Sequence, residues 1–283
     1  MNTSEEVPQS RIDALVRLLG DDDPKILSVA WDHLERIGEP VLAVLEKARQ
    51  EAPDVRVRVQ SGRFLKEWSR REVLRSWVDF CRRREVELEE GSLLIARSEY
   101  PDVDVDAYRR VLDGYAQVLR QRLERARTTE EAVKKIAHLL FNEVGLKGNA
   151  VEYYNPDNSY LNRVLDLKRG IPISLGVVFL LTARRLSVPV EGVNMPRHFL
   201  LKCRAPSHEV FVDCFHGGRL LDAHDCARLL ADAQIAFLPD HLRAVSDREI
   251  LSRMLGNLLR IYHSVEDQRR AGRVAAMLKL VGE

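Results

Sequence analysis

The sequence predicts an α+β protein that is mostly helical, and three observations carry that expectation. Apolar residues recur at helical spacing from Arg11 to about Asn142 and again near the C-terminal end. Two short runs, "HFLLKC" and "EVFVDCF", are rich in β-branched and aromatic residues and are separated by "RAPS", which predicts a pair of strands. The longest apolar run, Ile171 to Ala183, is interrupted by Ser174, Gly176 and Thr182 and falls short of the roughly 20 residues a bilayer span takes, so it reads as a buried helix.

With 283 residues and 45% hydrophobic content the chain can build a substantial core, about two domains of ordinary size. Its 44 basic and 43 acidic residues leave a formal charge of +1, too little for a global field that attracts nucleic acid or acidic lipid. The opening "MNTSEEVPQSRIDALV" has neither a basic n-region nor an apolar h-region, and Cys81, Cys203, Cys214 and Cys226 form no C-x-x-C pair. A reduced, cytoplasmic setting is expected. Asn2-Thr3-Ser4 matches a glycosylation acceptor that has meaning only after export. No Gly-rich phosphate loop is present, "HGGRLLD" reads as a tight turn, and no cofactor is expected.

Three segments are expected: 1–75, 76–240 and 241–283. In the first, helices alternate with breaks. "RIDALVRLLG" ends at Gly20; the next helix has Asp23 as cap, Pro24 at its first position and Gly38 as stop. Acidic-Pro starts recur at Asp23-Pro24 and Glu39-Pro40, which resembles HEAT-type repeats, with a plain helical bundle as the alternative. The run "CRRREVELEE" reads as a solvated face or turn, and Asp104 or Asp106 as the cap of the helix around Tyr108. After Gly148, turn formers at 155–158 precede a short helix expected to end at Gly170. The buried helix then starts with Pro172.

If residues 204–207 close an antiparallel hairpin, Cys203 faces His208 and His198 lies directly opposite Asp213. Alternation puts His198, Leu200 and Lys202 on one face with Asp213, Phe211 and Glu209. An imidazole fixed beside a carboxylate is an oriented general base, or else a surface ion pair at the open end of a hairpin.

The stretches "LLIARSEYPDVDVDAYRRVLD", "LFNEVGLKGNAVEYYNPDNSYLNRVLDLKRGIPISLGVVFL", "VPVEGVNMPRHFLLK" and "VFVDCFHGGRLL" together resemble the SirB-type family of transglutaminase-like proteins with a C-terminal tetratricopeptide-like helix pair, over about residues 91–280. The resemblance implies a papain-related core in which a helix carries a cysteine nucleophile at its start and a small antiparallel sheet supplies histidine and aspartate. His198 and Asp213 take those two places. The glycine-x-cysteine pattern reads Gly170-Ile171-Pro172 here, so the thiol is absent. Family members read Pro-Gly-His and Asp-Pro-Phe where this chain has Pro196-Arg197-His198 and Asp213-Cys214-Phe215. Arg197 sets a cation beside the histidine, where it would narrow the cleft, lower the imidazole's pKa or recruit an anion.

Ser174 is the hydroxyl nearest the vacant nucleophile position. It lies about 200° around a helix from residue 172, and its other role is a first-turn hydroxyl bonding a free backbone group. Asn158 is either a cleft-lining residue or a helix cap. Cys203, His208, Cys214, His216, His224 and Cys226 fall close together in sequence, but their spacing is not that of a zinc knuckle or ribbon, so no metal is expected. The expected function is that of a non-catalytic protein-binding or regulatory protein with a protein or peptide partner and no nucleic acid or membrane partner. The competing expectation is a hydrolase or acyl transferase in which His198 and Asp213 activate Ser174 or an ordered water.

Overall fold

The computed structural model describes residues 7–205 and 208–282; Asn2-Thr3-Ser4, and Pro206 and Ser207 of the expected turn, lie outside the described residues. The chain divides into two compact units, Met1–Arg75 and Ser76–Glu283.

The first unit holds α1 (Gln9–Leu18), α2 (Pro24–Ile37), α3 (Val41–Glu51) and the start of α4 (Val55–Cys81). The Asp23 carboxylate accepts from the Lys25 N–H, Pro24 opens α2 where no N–H is needed, and Gly38 leaves it at φ 84°. The apolar stripes meet in a core of Ile12, Val16, Leu34, Leu45 and Phe64, with the Trp31 and Phe64 rings 4.9 Å apart. α1 ends at Leu18, two residues before the glycine expected to stop it.

The second unit begins with the end of α4, whose Trp77 and Phe80 are buried in its core. It continues through α5 (Leu88–Glu99), α6 (Val105–Leu123), α7 (Thr129–Ala137), β1 (Lys147–Gly148), α8 (Leu161–Leu167), β2 (Arg169–Gly170) and α9 (Pro172–Arg185). After these come β3 (Glu191–Val193), β4 (Leu200–Arg204), β5 (Glu209–Asp213), β6 (Arg219–Leu221), α10 (Ala223–Asp232), β7 (Ala244–Val245), α11 (Asp247–Ser264) and α12 (Gln268–Gly282). Of the two cap candidates for α6, Asp104 is the acceptor, from the Ala107 N–H at 3.0 Å.

The helix α9 is the centre of this unit. Residues Pro172–Ala183 are all buried, as an apolar sequence with no polar face requires. Its polar exit is neutralised. Arg184 pairs with Asp247, and Arg185 reaches Glu89 at 2.6 Å and Asp113 at 2.6 Å, with the cations at the helix end whose dipole favours them. Gly176 lets the Phe199 ring approach, since a Cβ there would stand 2.7 Å from the ring. The helix before it ends differently from expectation. Lys168, at φ 55°, is the left-handed cap of α8, and Gly170 lies two residues on in β2, where a side chain would strike the Ser174 hydroxyl.

The sheet is antiparallel in the order β6-β5-β4-β3-β7. Its central hairpin pairs Cys203 with Val210 and Arg204 with Glu209, and Ala205 N–H donates to His208 O at 2.9 Å. This is two residues from the expected register, so His198 is not directly opposite Asp213. A slip by two preserves which side chains share a face, and burial does not distinguish the registers. Leu201, Cys203, Val210 and Val212 therefore still face the core around α9, while Leu200 and Phe211 pack with Leu221, Cys226 and Leu230 on the α10 side. Residues of α11 and α12, among them Met254, Leu258, Tyr262 and Met277, belong to the same core as α9, and the Trp77 indole donates to Met277 O at 2.9 Å. Among the described residues no helix is long and apolar enough to cross a membrane.

Two glycine-to-alanine substitutions separate helix propensity from packing. Gly114 in α6 has nothing within 4 Å of where a Cβ would stand, so Gly114→Ala is expected to raise stability by about 1 kcal/mol in urea unfolding. Gly176→Ala is expected to lower it by about 1 to 3 kcal/mol despite the same propensity gain, because the buried Phe199 ring must move. Adding Phe199→Leu to the second variant should recover part of the loss.

Candidate functional site

A cavity of about 690 Å³ opens where the start of α9, the turn before β4 and one face of α11 converge. Each wall has a local cause. The chain leaves β3 and turns so that the His198 N–H donates to Met195 O at 3.0 Å, with Arg197 held at φ 60°. Arg253 of α11 clamps this turn, donating to Met195 O at 3.0 Å and His198 O at 2.7 Å. His198 is thereby fixed in the cavity wall next to Ile171, Pro172 and Ile173.

Asp213 ends β5 and is 2% exposed. Its Oδ1 accepts from the Phe215 N–H at 3.1 Å and the His216 N–H at 3.2 Å, and its Oδ2 meets His216 Nδ1 at 2.7 Å. His198 Nε2 stands 3.0 Å from Oδ1, a close ion-pair separation without the alignment of a hydrogen bond. Burial alone would raise the carboxyl's pKa, but the imidazoles of His198 and His216 outweigh it and hold Asp213 at about 2. The carboxylate therefore stays ionised and orients two imidazoles. With its Nε2 turned to Asp213, the His198 ring remains part of the cavity lining.

Ser174 is 1% exposed and does not line the cavity. Its hydroxyl donates to Asn158 O at 2.5 Å and accepts from the Ile171 N–H at 3.0 Å, which ties the loop before α8 to the first turn of α9. Asn158 lies behind the cavity wall. Its Nδ2 donates to Glu152 O at 2.6 Å and its Oδ1 accepts from Asn149 Nδ2 at 3.0 Å, so it braces the segment that presents Tyr153 and Tyr154 to the cavity. Arg197 is exposed and does line it. The structure thus brings together His198, Asp213, Arg197 and the start of α9, and keeps Ser174 and Asn158 out of the lining. No serine, threonine or cysteine is among the lining residues.

His216 beside Asp213, and Arg253, Asn257 and Arg260 in the cleft, are not among the residues expected from the sequence. The last three stand at i, i+4 and i+7 of α11, a spacing visible in "RMLGNLLRI" as one polar stripe on an apolar helix. "DCFH" places His216 three residues after Asp213, past the end of the strand.

Ligand atoms of His198, Asp213 and His216 lie within 4.8 Å of one another, a donor set that suits a divalent transition metal. Asp213 already accepts three hydrogen bonds, from the Phe215 and His216 N–H groups on Oδ1 and from His216 Nδ1 on Oδ2, so an ion bound here would compete with His216 for the carboxylate. The cysteines do not converge. Cys203 and Cys214 are buried on the α9 side of the sheet and Cys226 on the α10 side. Burial pushes the Cys203 thiol up to about 11 and the Cys226 thiol up to about 12, far from a thiolate.

The family described as the transglutaminase-like superfamily matches residues 106–256. A UPF0162 protein of Xylella fastidiosa is 38% identical over 197 residues, covering 67% of this chain and 70% of its own length. A UPF0162 protein of Vibrio cholerae is 26% identical over 182 residues, 61% of this chain and 65% of its own. F-box only protein 21 of Mus musculus is 35% identical over 137 residues, 46% of this chain and 21% of its own. No solved structure matches the chain. The matched span encloses the start of α9, the His198 turn and Asp213, and on that match the chain belongs to the transglutaminase-like superfamily.

Proposed function

We propose that this chain is a non-catalytic member of its superfamily, a cytoplasmic protein-binding or regulatory protein of the SirB type. In this reading its cleft has kept an oriented imidazole and lost the attacking group. The observation that carries it is Pro172, which lines the cavity with His198 at the helix start where a cysteine nucleophile belongs. A cysteine there would be activated by the helix N-terminus and the neighbouring imidazole, whereas proline has no nucleophilic atom. The Ser174 hydroxyl supports the same reading, being spent on Asn158 O and the Ile171 N–H. The HEAT-like segment 1–75 and the tetratricopeptide-like pair 241–283 would add surfaces for a protein or peptide partner.

A second reading has one observation in its favour. His198 is oriented by a buried carboxylate and faces a cavity, which would allow it to draw a proton from an ordered water and hydrolyse an acyl or amide bond. The two readings separate on turnover. A serine-directed activity probe should leave wild-type protein unlabelled, and Ser174→Ala should cost about 1 to 3 kcal/mol of stability through the unpaired Asn158 carbonyl and Ile171 N–H. Labelling of Ser174, or amide hydrolysis that His198→Ala abolishes with the fold intact, would decide for the enzyme.

Pro172→Cys tests the vacant position directly. The new thiol should be alkylated by iodoacetamide at neutral pH at least about tenfold faster than the native cysteines, whose thiols burial pushes up, and His198→Ala in that background should slow it. Equal rates with and without His198 would place residue 172 outside the imidazole's reach.

The depressed pKa of Asp213 has a consequence for stability. Since the folded value, about 2, lies below the ordinary unfolded carboxyl value of about 4, the group stabilises the fold above pH 4 and that contribution is lost as pH falls towards 2. The stability difference between wild type and Asp213→Asn should shrink by roughly 2 kcal/mol between pH 5 and pH 2, followed by urea unfolding.

A further inference from the structure

The cleft gathers positive charge with nothing to balance it. Arg197, Arg253 and Arg260 all line the cavity, no acidic residue does, and among the described residues none of the three is within ion-pair distance of a carboxylate. Elsewhere in this unit several arginines are paired with carboxylates, Arg185 with Glu89 and Asp113, Arg184 with Asp247, Arg273 and Arg270 with Glu99, while Arg248 is held by carbonyl oxygens alone. Arg253 has carbonyl oxygens as partners, which satisfy N–H groups but cancel no net charge. Burial and the like charge of Arg260 both push its pKa down, the mark of a cation that lacks a counter-ion. The polar stripe of α11 thus points a fixed positive field into the cavity from one wall, and Arg197 adds to it from another.

The start of α9 adds to that field. The Ile173 and Ser174 N–H groups belong to the first turn, where no intrahelical acceptor exists, and the positive end of a 14-residue helix is directed at the cavity. Arg197 is held at φ 60°, a conformation that costs a side-chain-bearing residue about 1 kcal/mol relative to glycine, yet a large cation occupies it. Tyr153 and Tyr154 line the same opening, with Tyr154 69% exposed, offering aromatic faces beside the guanidinium groups.

We propose that the cleft binds an acidic peptide segment of a partner protein, seating a glutamate or aspartate carboxylate among Arg197, Arg253 and Arg260. The guanidinium groups of Arg197 and Arg260 offer planar N–H donors to a carboxylate, and Arg253, whose terminal nitrogens are held by the His198 turn, contributes charge. A cavity of about 690 Å³ has room for several residues around that carboxylate, with the tyrosines as the apolar contact. A nucleotide fits less well, because phosphate cradles are built from glycine-rich loops of backbone N–H groups and none is present in the sequence. The inference rests on the reading of the cleft as a peptide-binding groove and names the chemistry of its occupant.

The test is an array of heptapeptides with Glu, Asp, Gln or Asn at the centre and the other positions randomised, probed with the full-length protein. Glu and Asp peptides should be retained at least about fivefold over their amides, and the preference should fall as salt is raised. Arg197→Gln combined with Arg260→Gln should erase the preference. Both side chains are exposed, so the double variant should keep the wild-type melting temperature, and Arg253, which braces the His198 turn, is left in place. Equal retention of acids and amides would overturn the acidic selection and leave the groove reading standing. An array that retains nothing would overturn both. A preference unchanged in the double variant would move the acidic site away from this cleft, and displacement of bound peptide by ATP but not by free glutamate would replace the peptide with a nucleotide.

Discussion

The structure depends on a helix buried on every side. Because α9 has no polar face, its burial needs partners all round, and the surrounding helices and one face of the sheet exist in this unit as the cover for it. Burying large apolar side chains contributes roughly 1.5 to 3 kcal/mol each, so the position of α9 is over-determined by its core contacts. Its first turn inherits that rigidity. The Ser174 hydroxyl, Asn158 carbonyl and Ile171 N–H then lock the preceding loop to it, so one wall of the cleft is set by the core rather than by surface contacts.

The opposite wall is set by polar forces. Arg253 holds the His198 turn through its carbonyl oxygens, and Asp213 holds His216 by a hydrogen bond with His198 Nε2 close to its other oxygen. These contacts fix an imidazole in a cavity wall that Pro172 shares. The guanidinium groups of Arg197, Arg253 and Arg260 line the same cavity as this imidazole and give it positive charge. The same residue, Arg253, serves both parts: its carbonyl contacts shape the turn, and its uncancelled charge gives the cavity its sign.

Much of this was legible in the sequence, for identifiable reasons. Asp23-Pro24 and Gly38 announced α2 because capping is local chemistry, and the unbroken apolar run announced α9 because a helix without a polar face can only be buried. The pairing of His198 with Asp213 on one face followed from alternation along a strand, which holds for any even shift of register. The register itself did not follow. It depends on the length of the turn, and the two candidate pairings bury the same side chains. The end of α8 at Lys168 was hidden because a lysine in the left-handed conformation carries no compositional mark.

What the sequence determined by itself was the mostly helical α+β class, the buried helix, the shared face of imidazole and carboxylate, and the proline that opens the buried helix at 172. These are properties of neighbouring residues, set by helix and strand periodicity and by the chemistry of single side chains. Tertiary structure decided the rest. It tied the Ser174 hydroxyl into the backbone, set Asn158 behind the wall and His216 on the second oxygen of Asp213, and brought Arg253 and Arg260 from a helix distant in sequence to the mouth of α9. A charge cluster assembled from 197 and 253–260 has no local signature, because it comes into being only when α11 packs against the core that α9 organises.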